Sequence, residues 1–548
     1  MKRRLTSKAD AIVAAANNTA ATCGVLFYFI AFPAWTEFHG DCTDSLLWSQ
    51  MMIETGSILA EDFAYAAILP FGSPLWMVPV LLIFGYGKAA HVVSMCMFVV
   101  LFIGAVYLLL RTLKWRRWGC ALGAATVAFL LSATEKLREI MWGHVIYYSL
   151  SALLVLWLLN LAVRLWSALP EWKATDTRGR VRLILQCVGL FLLSLGCATD
   201  GFQVIIISVL PVLCGMIGTV VTDRRDCLRA KPTLFRMAMG GGMAVGVGLG
   251  ALVLFWLTKG GEIAADYENA HTMLAPLEEW GENMGRILPN WLSLFGVVID
   301  ETKPLTDVQT LLSLVHMAVA LTMLVCPFVL FARSLKSDNA PLRLLTWTHL
   351  GMTAVNLFAY ICGKVSGANW RLVPWAATCV LCTVVLIGEL LREHLVPRRM
   401  GGLLGLAVGA VAVINAVTML TLPCLPNPHE VMAKELIDRG YTRGYASFWQ
   451  ALDTDFFGGD ELDVVCIEAS TAGIVRRDYQ TRECWFDDVE GQETYFVILT
   501  GDEYTWVSAS HHWKEINRTY EMLDVFDLGD NGEYTVFVFN GNIVKNFD

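Results

Sequence analysis

Apolar stretches long enough to cross a bilayer recur along the first 423 residues, separated by short polar loops, and they stop at Cys424. A hydrocarbon core about 30 Å thick takes roughly 20 apolar residues in helical form. On that measure the chain predicts eleven membrane helices, at about 15–35, 89–110, 118–133, 146–166, 183–199, 203–221, 237–257, 309–332, 344–362, 373–390 and 402–423. The segment 71–87, FGSPLWMVPVLLIFGYG, is also apolar, but it is short and two prolines interrupt it. It reads as an interfacial or re-entrant helix, which leaves 36–88 as a structured outer loop lying on the membrane.

Basic residues give the orientation. Arg111, Lys114, Arg116 and Arg117 follow the second predicted span, and Arg164 through Arg182 follow the fourth. Arg224, Arg225, Arg229 and Lys231 follow the sixth, Arg333, Lys336 and Arg343 the eighth, and Arg392, Arg398 and Arg399 the tenth. All five clusters fall on one face, which predicts a cytoplasmic N-terminus in a multi-pass cell-membrane protein and an extracytoplasmic C-terminal domain. The N-terminal MKRRLTSK lacks a cleavage pattern, so the first span is read as retained.

Beyond residue 423 the periodicity changes. DVVCIEA, TYFVILT and YTVFVFN are strand-like runs broken by Gly-Asp and Asn-Gly turns, which predicts a small α/β or mostly β domain over 424–548. The membrane domain is then 1–423. Composition agrees, with 55% hydrophobic and 17% charged residues and a mean hydropathy of +0.52. The C-terminal segment holds 24 Asp and Glu against 9 Lys and Arg, a net −15 in a chain of −9. That acidity argues against nucleic acid or anionic lipid as its partner. Cys466 and Cys484 both lie in it, and spacing alone does not decide whether they pair.

Polar residues gather where the predicted spans meet the outer face. The first group is Asp41 and Asp44 in TEFHGDCTDSLLW, followed by Glu61 and Asp62 in EDFAYAAILPFG. Residues three apart share a face if the loop is helical. A carboxyl beside a low-dielectric wall has its pKa raised, which suits a general base. Trp48, Tyr65 and Phe71 offer ring surfaces of the kind sugars stack on, whereas a plain solvated loop would need none of this. The second group, in TEKLREIMWGHVIYYS, is Glu135, Lys136, Arg138, Glu139 and His144. Charges at such a point are costly unless paired or wet. Lys136 and Arg138 suit a phosphate, and Glu139 and His144 suit a hydroxyl or proton; a salt-bridged collar is the structural alternative. The third, CATDGFQ, places Asp200 and Gln203 in a tight turn, for which Asp-Gly is ordinary turn chemistry. The fourth, GKVSGANWRLVPW, sets Arg371 between Trp370 and Trp375 with Lys364 nearby. A guanidinium there fits a phosphate, or simply snorkels within an aromatic belt.

No P-loop is present, no His/Cys cluster has metal-ligand spacing, and no span carries a run of charges. No cofactor is implied, and nothing supports a divalent metal. Three roles remain: an enzyme acting on a membrane-held substrate, a transporter or flippase of a lipid-linked or polar solute, and a non-catalytic receptor or scaffold. GGGMAVGVGLG at 240–250 suits either a transporter hinge or close helix packing.

GDCTDSLLW, EDFAYAAILPFG and NWRLVPW together resemble the GT-C superfamily of membrane glycosyltransferases, which includes protein O-mannosyltransferases and aminoarabinose transferases. The last motif departs from the superfamily's Arg-Tyr order, since Leu372 follows Arg371. RGYTRGYASFWQALDTDFFGGDELDVVCIE is similar to a segment found after the last span in bacterial proteins of this type, and Tyr445, Phe448 and Trp449 in it suit either a stacking surface or a core. The resemblance implies a polytopic α-helical GT-C-like fold and a polyprenyl-phosphate sugar as donor. The acceptor would be a glycan, lipid or protein outside the cytoplasm, and the sugar would transfer with inversion. It implies Asp41 or Asp44 as base, and Arg371, Arg138 or Lys136 as the cation facing the leaving phosphate. Asp62, Glu61, Glu139, His144, Asp200, Gln203 and Lys364 complete the expected substrate-binding set.

Overall fold

The computed structural model describes residues 2–30, 33–168, 175–222, 231–258, 273–364, 367–394, 396–477, 480–529 and 532–544. Arg224, Arg225 and Arg229 of the third basic cluster, with Val365 and Ser366 of the GKVSGANWRLVPW stretch, lie outside the described residues. Among the described residues nine helices are long and apolar enough to cross a membrane: Lys8–Phe29, Lys88–Thr112, Tyr147–Ala168, Thr177–Thr199, Gly201–Thr222, Leu234–Leu257, Val308–Ser334, Asn369–Leu391 and Val396–Leu420. The protein is a polytopic membrane protein.

These nine fall on nine of the eleven expected spans, and the other two differ for separate reasons. The third falls on Arg117–Leu130, whose 14 residues extend only about 21 Å at the helical rise. The ninth falls on Ala340–Cys362, which has 23 residues but also a polar stripe. Thr346, His349, Thr353 and Asn356 are buried in it. Side-chain bonds satisfy that stripe: His349 Nδ1 lies 2.9 Å from Thr378 Oγ1, and Trp375 Nε1 donates to Thr353 Oγ1 over 3.0 Å. Such bonds are what permit polar groups to be buried. The apolar segment at 71–87 forms Pro74–Phe84, with Pro79 inside it; at 11 residues it is too short to cross.

Small residues let the helices approach. In Leu234–Leu257, a side chain on Gly250 would meet the backbone of Leu195 in Thr177–Thr199, so the glycine-rich run packs a helix pair. Gly215 has no room for a side chain beside Thr348, which brings Leu210–Thr222 against Ala340–Cys362.

Contacts divide the chain into two units. One comprises Met1–Ala31, Met95–Trp256 and Ala270–Pro423 and contains most of the apolar helices. The other combines Phe32–Ser94 with Leu257–Asn269 and Cys424–Asp548. Contact thus groups the outer loop with the C-terminal segment, a different division from a cut at residue 423.

The second unit is built on a six-stranded mixed sheet. Its strands are β1 (Arg443–Ser447), β2 (Asp463–Ser470), β3 (Gly473–Arg476), β4 (Tyr495–Thr500), β5 (Met522–Leu528) and β6 (Tyr534–Phe539), in the order β3-β2-β1-β4-β6-β5. β1 runs parallel to both β2 and β4, with Tyr445 opposite Val465 and Val497. The central strand β4 is almost wholly buried, while β5 at the edge alternates between half-buried and exposed residues, as a one-faced strand should. Tyr445, Ile467, Val497, Trp513 and Phe537 form its apolar core. The domain is therefore α/β, with helix Phe448–Gly458 making the crossover from β1 to β2. Asn427 caps helix Pro428–Asp438, and its amide donates to the carbonyls of Trp35 (2.9 Å) and Phe38 (3.0 Å), binding loop and tail together. The thiols of Cys466 and Cys484 are both free.

Candidate functional site

In the second unit the chain turns through a 3-10 element, Gly40–Cys42, directly into helix Asp44–Thr55. The backbone carbonyl of Gly40 receives the Thr43 hydroxyl at 2.8 Å, which fixes the turn. Asp41 is partly exposed on the turn, and Asp44, at the first helical position, is buried. Gln480 donates from Nε2 to Asp44 Oδ1 at 2.7 Å and accepts at Oε1 from Trp48 Nε1 at 2.8 Å. Burial pushes the Asp44 carboxyl well above the ordinary carboxylate range, and the charge of Asp41 pushes the same way; the Gln480 bond and the Arg477 charge oppose them.

The segments behind this carboxyl are paired in extended fashion. Phe63 bridges Arg482, Gln480 N donates to Ala64 O at 2.5 Å, and Ala64 N donates to Thr481 O at 3.2 Å. Arg482 grips Asp62 with Nε at 2.8 Å and reaches Glu54 at 3.5 Å, so Asp62 is ion-paired; Glu61 is exposed. Trp48 and Tyr65 are core residues, 1% and 3% exposed, and so form no open stacking surface; Phe71 is half-buried. Tyr445 and Phe448 are also buried, whereas Trp449 is open to solvent beside the His39 ring.

A cleft of about 760 Å³ opens in the same unit. Gln480 forms part of its wall, along with Glu54, Tyr86, Arg443, Asp455 and Trp485. Burial, with the nearby charge of Asp463, pushes Asp455 up to about 8. Asp453, two residues earlier and so on the other side of the same helix, is also raised, first by burial and then by Asp41; it lies 3.3 Å from His429, which burial lowers to about 4.

In the first unit the second and fourth sequence groups meet. Thr134 caps the short helix Glu135–Arg138, and Lys136 pairs with the buried Glu139 at 2.5 Å. The Lys136 ammonium also lies 5.2 Å from the centre of the Trp370 ring. Arg138 is buried, donating to Ser132 O at 3.2 Å and facing the Tyr28 ring. His144 and Asp200 are buried as well, Asp200 as the C-cap of Thr177–Thr199. Gln203 and Arg371 share a cavity of about 610 Å³, otherwise walled largely by Phe202, Ile206, Leu210, Val355 and Phe358. The Nε of Arg371 is buried with no hydrogen-bond partner among the described residues. Lys364 is exposed, with its ammonium 3.7 Å from Met273 Sδ. Among the described residues no three His, Cys, Asp or Glu side chains gather as a metal site.

An apolar cavity with one guanidinium, and a buried carboxyl at a loop-to-helix turn, belong here to a chain whose architecture has solved counterparts. It superposes on ArnT, the aminoarabinose transferase from Cupriavidus metallidurans, bound to undecaprenyl phosphate, with a TM-score of 0.55 at 13% identity, over 96% of this chain and 98% of that one. The apo form gives 0.57 at 11% identity, over 98% and 99%. The Archaeoglobus fulgidus oligosaccharyltransferase tethered to an acceptor peptide gives 0.51 at 13% identity, over 98% of this chain and 74% of that one. The fold is GT-C. No family model matches the sequence, and no curated protein does. The residues that sequence reasoning missed are Gln480, Arg477, Asp453 and Asp455. Gln480 stands 436 positions from Asp44, and no local pattern could have joined them. Asp453 and Asp455 were visible as acids, but only packing of helix Phe448–Gly458 sets them near Asp41 and Asp463.

Proposed function

We propose that the chain is a glycosyltransferase that moves a sugar from a polyprenyl-phosphate donor to an acceptor outside the cytoplasm, with inversion at the anomeric carbon. The cavity shared by Arg371 and Gln203 carries this reading. Its apolar walls suit an isoprenoid chain, and the Arg371 guanidinium in its lining, whose Nε has no partner among the described residues, suits the phosphate at the chain's head. The GT-C fold supports the assignment, since one ArnT structure holds undecaprenyl phosphate.

In this reading the acceptor hydroxyl gives its proton to the carboxylate of Asp44 or Asp41. Its oxygen attacks the anomeric carbon, and the carbon–oxygen bond to phosphate breaks with the electron pair leaving on the polyprenyl phosphate. Arg371, aided by Lys136 or Arg138, stabilises the charge that develops. An ionised Asp44 is a stronger base than an ordinary carboxylate, because burial disfavours its charged form. Glu61, Asp62, Glu139, His144, Asp200, Gln203 and Lys364 complete the assigned substrate-binding set. The acceptor is a cell-envelope glycan, lipid or protein, and the acidic C-terminal domain lies on the extracytoplasmic side with the N-terminus in the cytoplasm.

The test is transfer by purified protein in liposomes, using a panel of radiolabelled polyprenyl-phosphate sugars and wild type, Asp41→Asn and Asp44→Asn. Transfer abolished by one substitution in a folded protein identifies the base. Equal transfer by both variants sinks the assignment of either.

A further inference from the structure

We infer that Gln480 is a positioning residue: its side-chain amide, held between Asp44 and Trp48, fixes the orientation of the Asp44 carboxyl. The role of Asp44 as base rests on the function proposed above; the Gln480–Asp44 bond and its effect on that carboxyl do not.

The geometry is specific. Gln480 is wholly buried, and both ends of its amide are used: Nε2 toward Asp44 Oδ1 at 2.7 Å, Oε1 toward Trp48 Nε1 at 2.8 Å. The indole N–H can only donate, so it fixes which end of the amide faces Asp44. Asp44 therefore receives an N–H, which favours the carboxylate over the acid. Trp48 lies one helical turn after Asp44, so one amide clamps two residues of the same helix face.

The backbone supports the same conclusion. Gln480 has φ +62°, one of two non-glycine residues in the described chain with positive φ. A glutamine in the left-handed region is uncommon and is held only when the surroundings over-determine it. Here the Gln480 N–H bonds Ala64 O, and the adjoining Thr481 and Arg482 pair with Ala64 and Phe63. The strained position lifts the side chain of a C-terminal-domain residue onto a carboxyl of the first loop, and the same side chain walls the 760 Å³ cleft.

Other charges face Asp44. Asp41 on the preceding turn opposes its ionisation and Arg477 after β3 favours it, while Tyr86 and Cys466 also feel its charge. Gln480 is uncharged and donates a hydrogen bond to Asp44, so its removal alters ionisation without changing net charge.

The experiment follows the Asp44 carboxyl itself. Infrared difference spectra of the full-length protein in nanodiscs are titrated with pH, and the protonated-carboxyl band is assigned by its loss in Asp44→Asn. Gln480→Leu removes the amide, and Gln480→Gly removes it while suiting the positive φ should the first variant fold poorly. The band's midpoint is expected to rise by roughly one pH unit in either variant, the effect of losing one charge-assisted hydrogen bond. The acid limb of kcat/KM should move by the same amount, so that activity below the midpoint falls roughly tenfold. An unchanged midpoint in the folded variants overturns the inference. A shifted midpoint with full transfer by Asp44→Asn would instead sustain it and refute Asp44 as the base.

Discussion

Arg482 holds Asp62 across 420 positions of sequence, with Nε at 2.8 Å and Nη2 at 2.5 Å from the same carboxylate oxygen. Both atoms aim at Oδ2, and Arg482 continues to Glu54 at 3.5 Å. The pair is partly open, with Asp62 about half exposed at 49%. Exposed ion pairs contribute about 0–1 kcal/mol. If the pair is structural, Asp62→Asn lowers the unfolding free energy by under about 1 kcal/mol and leaves donor KM unchanged. A large rise in KM would instead assign Asp62 to substrate, as the sequence reading expects. Thermal unfolding and transfer kinetics of that one variant decide it.

Trp48 makes the complementary prediction. A ring 1% exposed cannot stack on a sugar without opening the core. Trp48→Ala should therefore cost about 3–5 kcal/mol of stability, as aromatic-to-alanine changes in cores do. Trp48→Phe keeps most of the ring but leaves Gln480 Oε1 without its donor, at a cost of about 1–3 kcal/mol. Neither effect is a matter of ligand binding. A Trp48→Phe protein of normal stability with weakened acceptor affinity would contradict this account.

The distribution of legible and illegible features follows from the range of the interactions. Membrane helices are local in origin, so Lys88–Thr112 and Val308–Ser334 could be read from runs of apolar residues. Ala340–Cys362 was also legible as a helix, but its polar stripe makes sense only once Thr378 and Trp375 are beside it. β2, β4 and β6 declared themselves by alternating or continuous apolar residues. β1 did not, since RGYAS is short and contains a glycine. Asp41 and Asp44 were visible because three-residue spacing at a span end is a local pattern. Their surroundings were not: Gln480 and Arg477 arrive from the far end of the chain, and no periodicity encodes a bond over that distance. The aromatic residues near the acids were read as stacking surfaces because sequence shows ring chemistry but not burial.

The raised carboxyls make stability depend on pH in a defined direction. Asp455 titrates at about 8 in the folded protein, against about 4 for an unfolded aspartate. Between those values the folded state holds a proton that the unfolded chain has released. Stability is therefore greatest below about pH 4 from this group and declines as pH rises toward 8. Asp44 and Asp453 are raised as well and act in the same sense. The unfolding temperature of the full-length protein should fall between pH 5 and 8 (roughly, from these carboxyls), and Asp455→Asn should flatten the slope. A slope that is equally steep in the variant would remove Asp455 from the account.

Arg371 supplies the most direct test of the donor cavity. Its guanidinium belongs to the lining of an otherwise mostly apolar space, so replacing it leaves room for the isoprenoid chain but removes the phosphate partner. A charge-assisted bond of about 1.5–3 kcal/mol corresponds to roughly ten- to hundredfold in affinity. Arg371→Leu should weaken binding of a polyprenyl phosphate by that factor, measured as lipid retained in native mass spectra across a titration. The uncharged polyprenol lacks the phosphate and should bind both proteins alike. Arg371→Lys restores the charge but not the planar fork, so it should recover only part of the loss. If Arg371→Leu weakens polyprenol and polyprenyl phosphate equally, the residue shapes the cavity and does not read the phosphate.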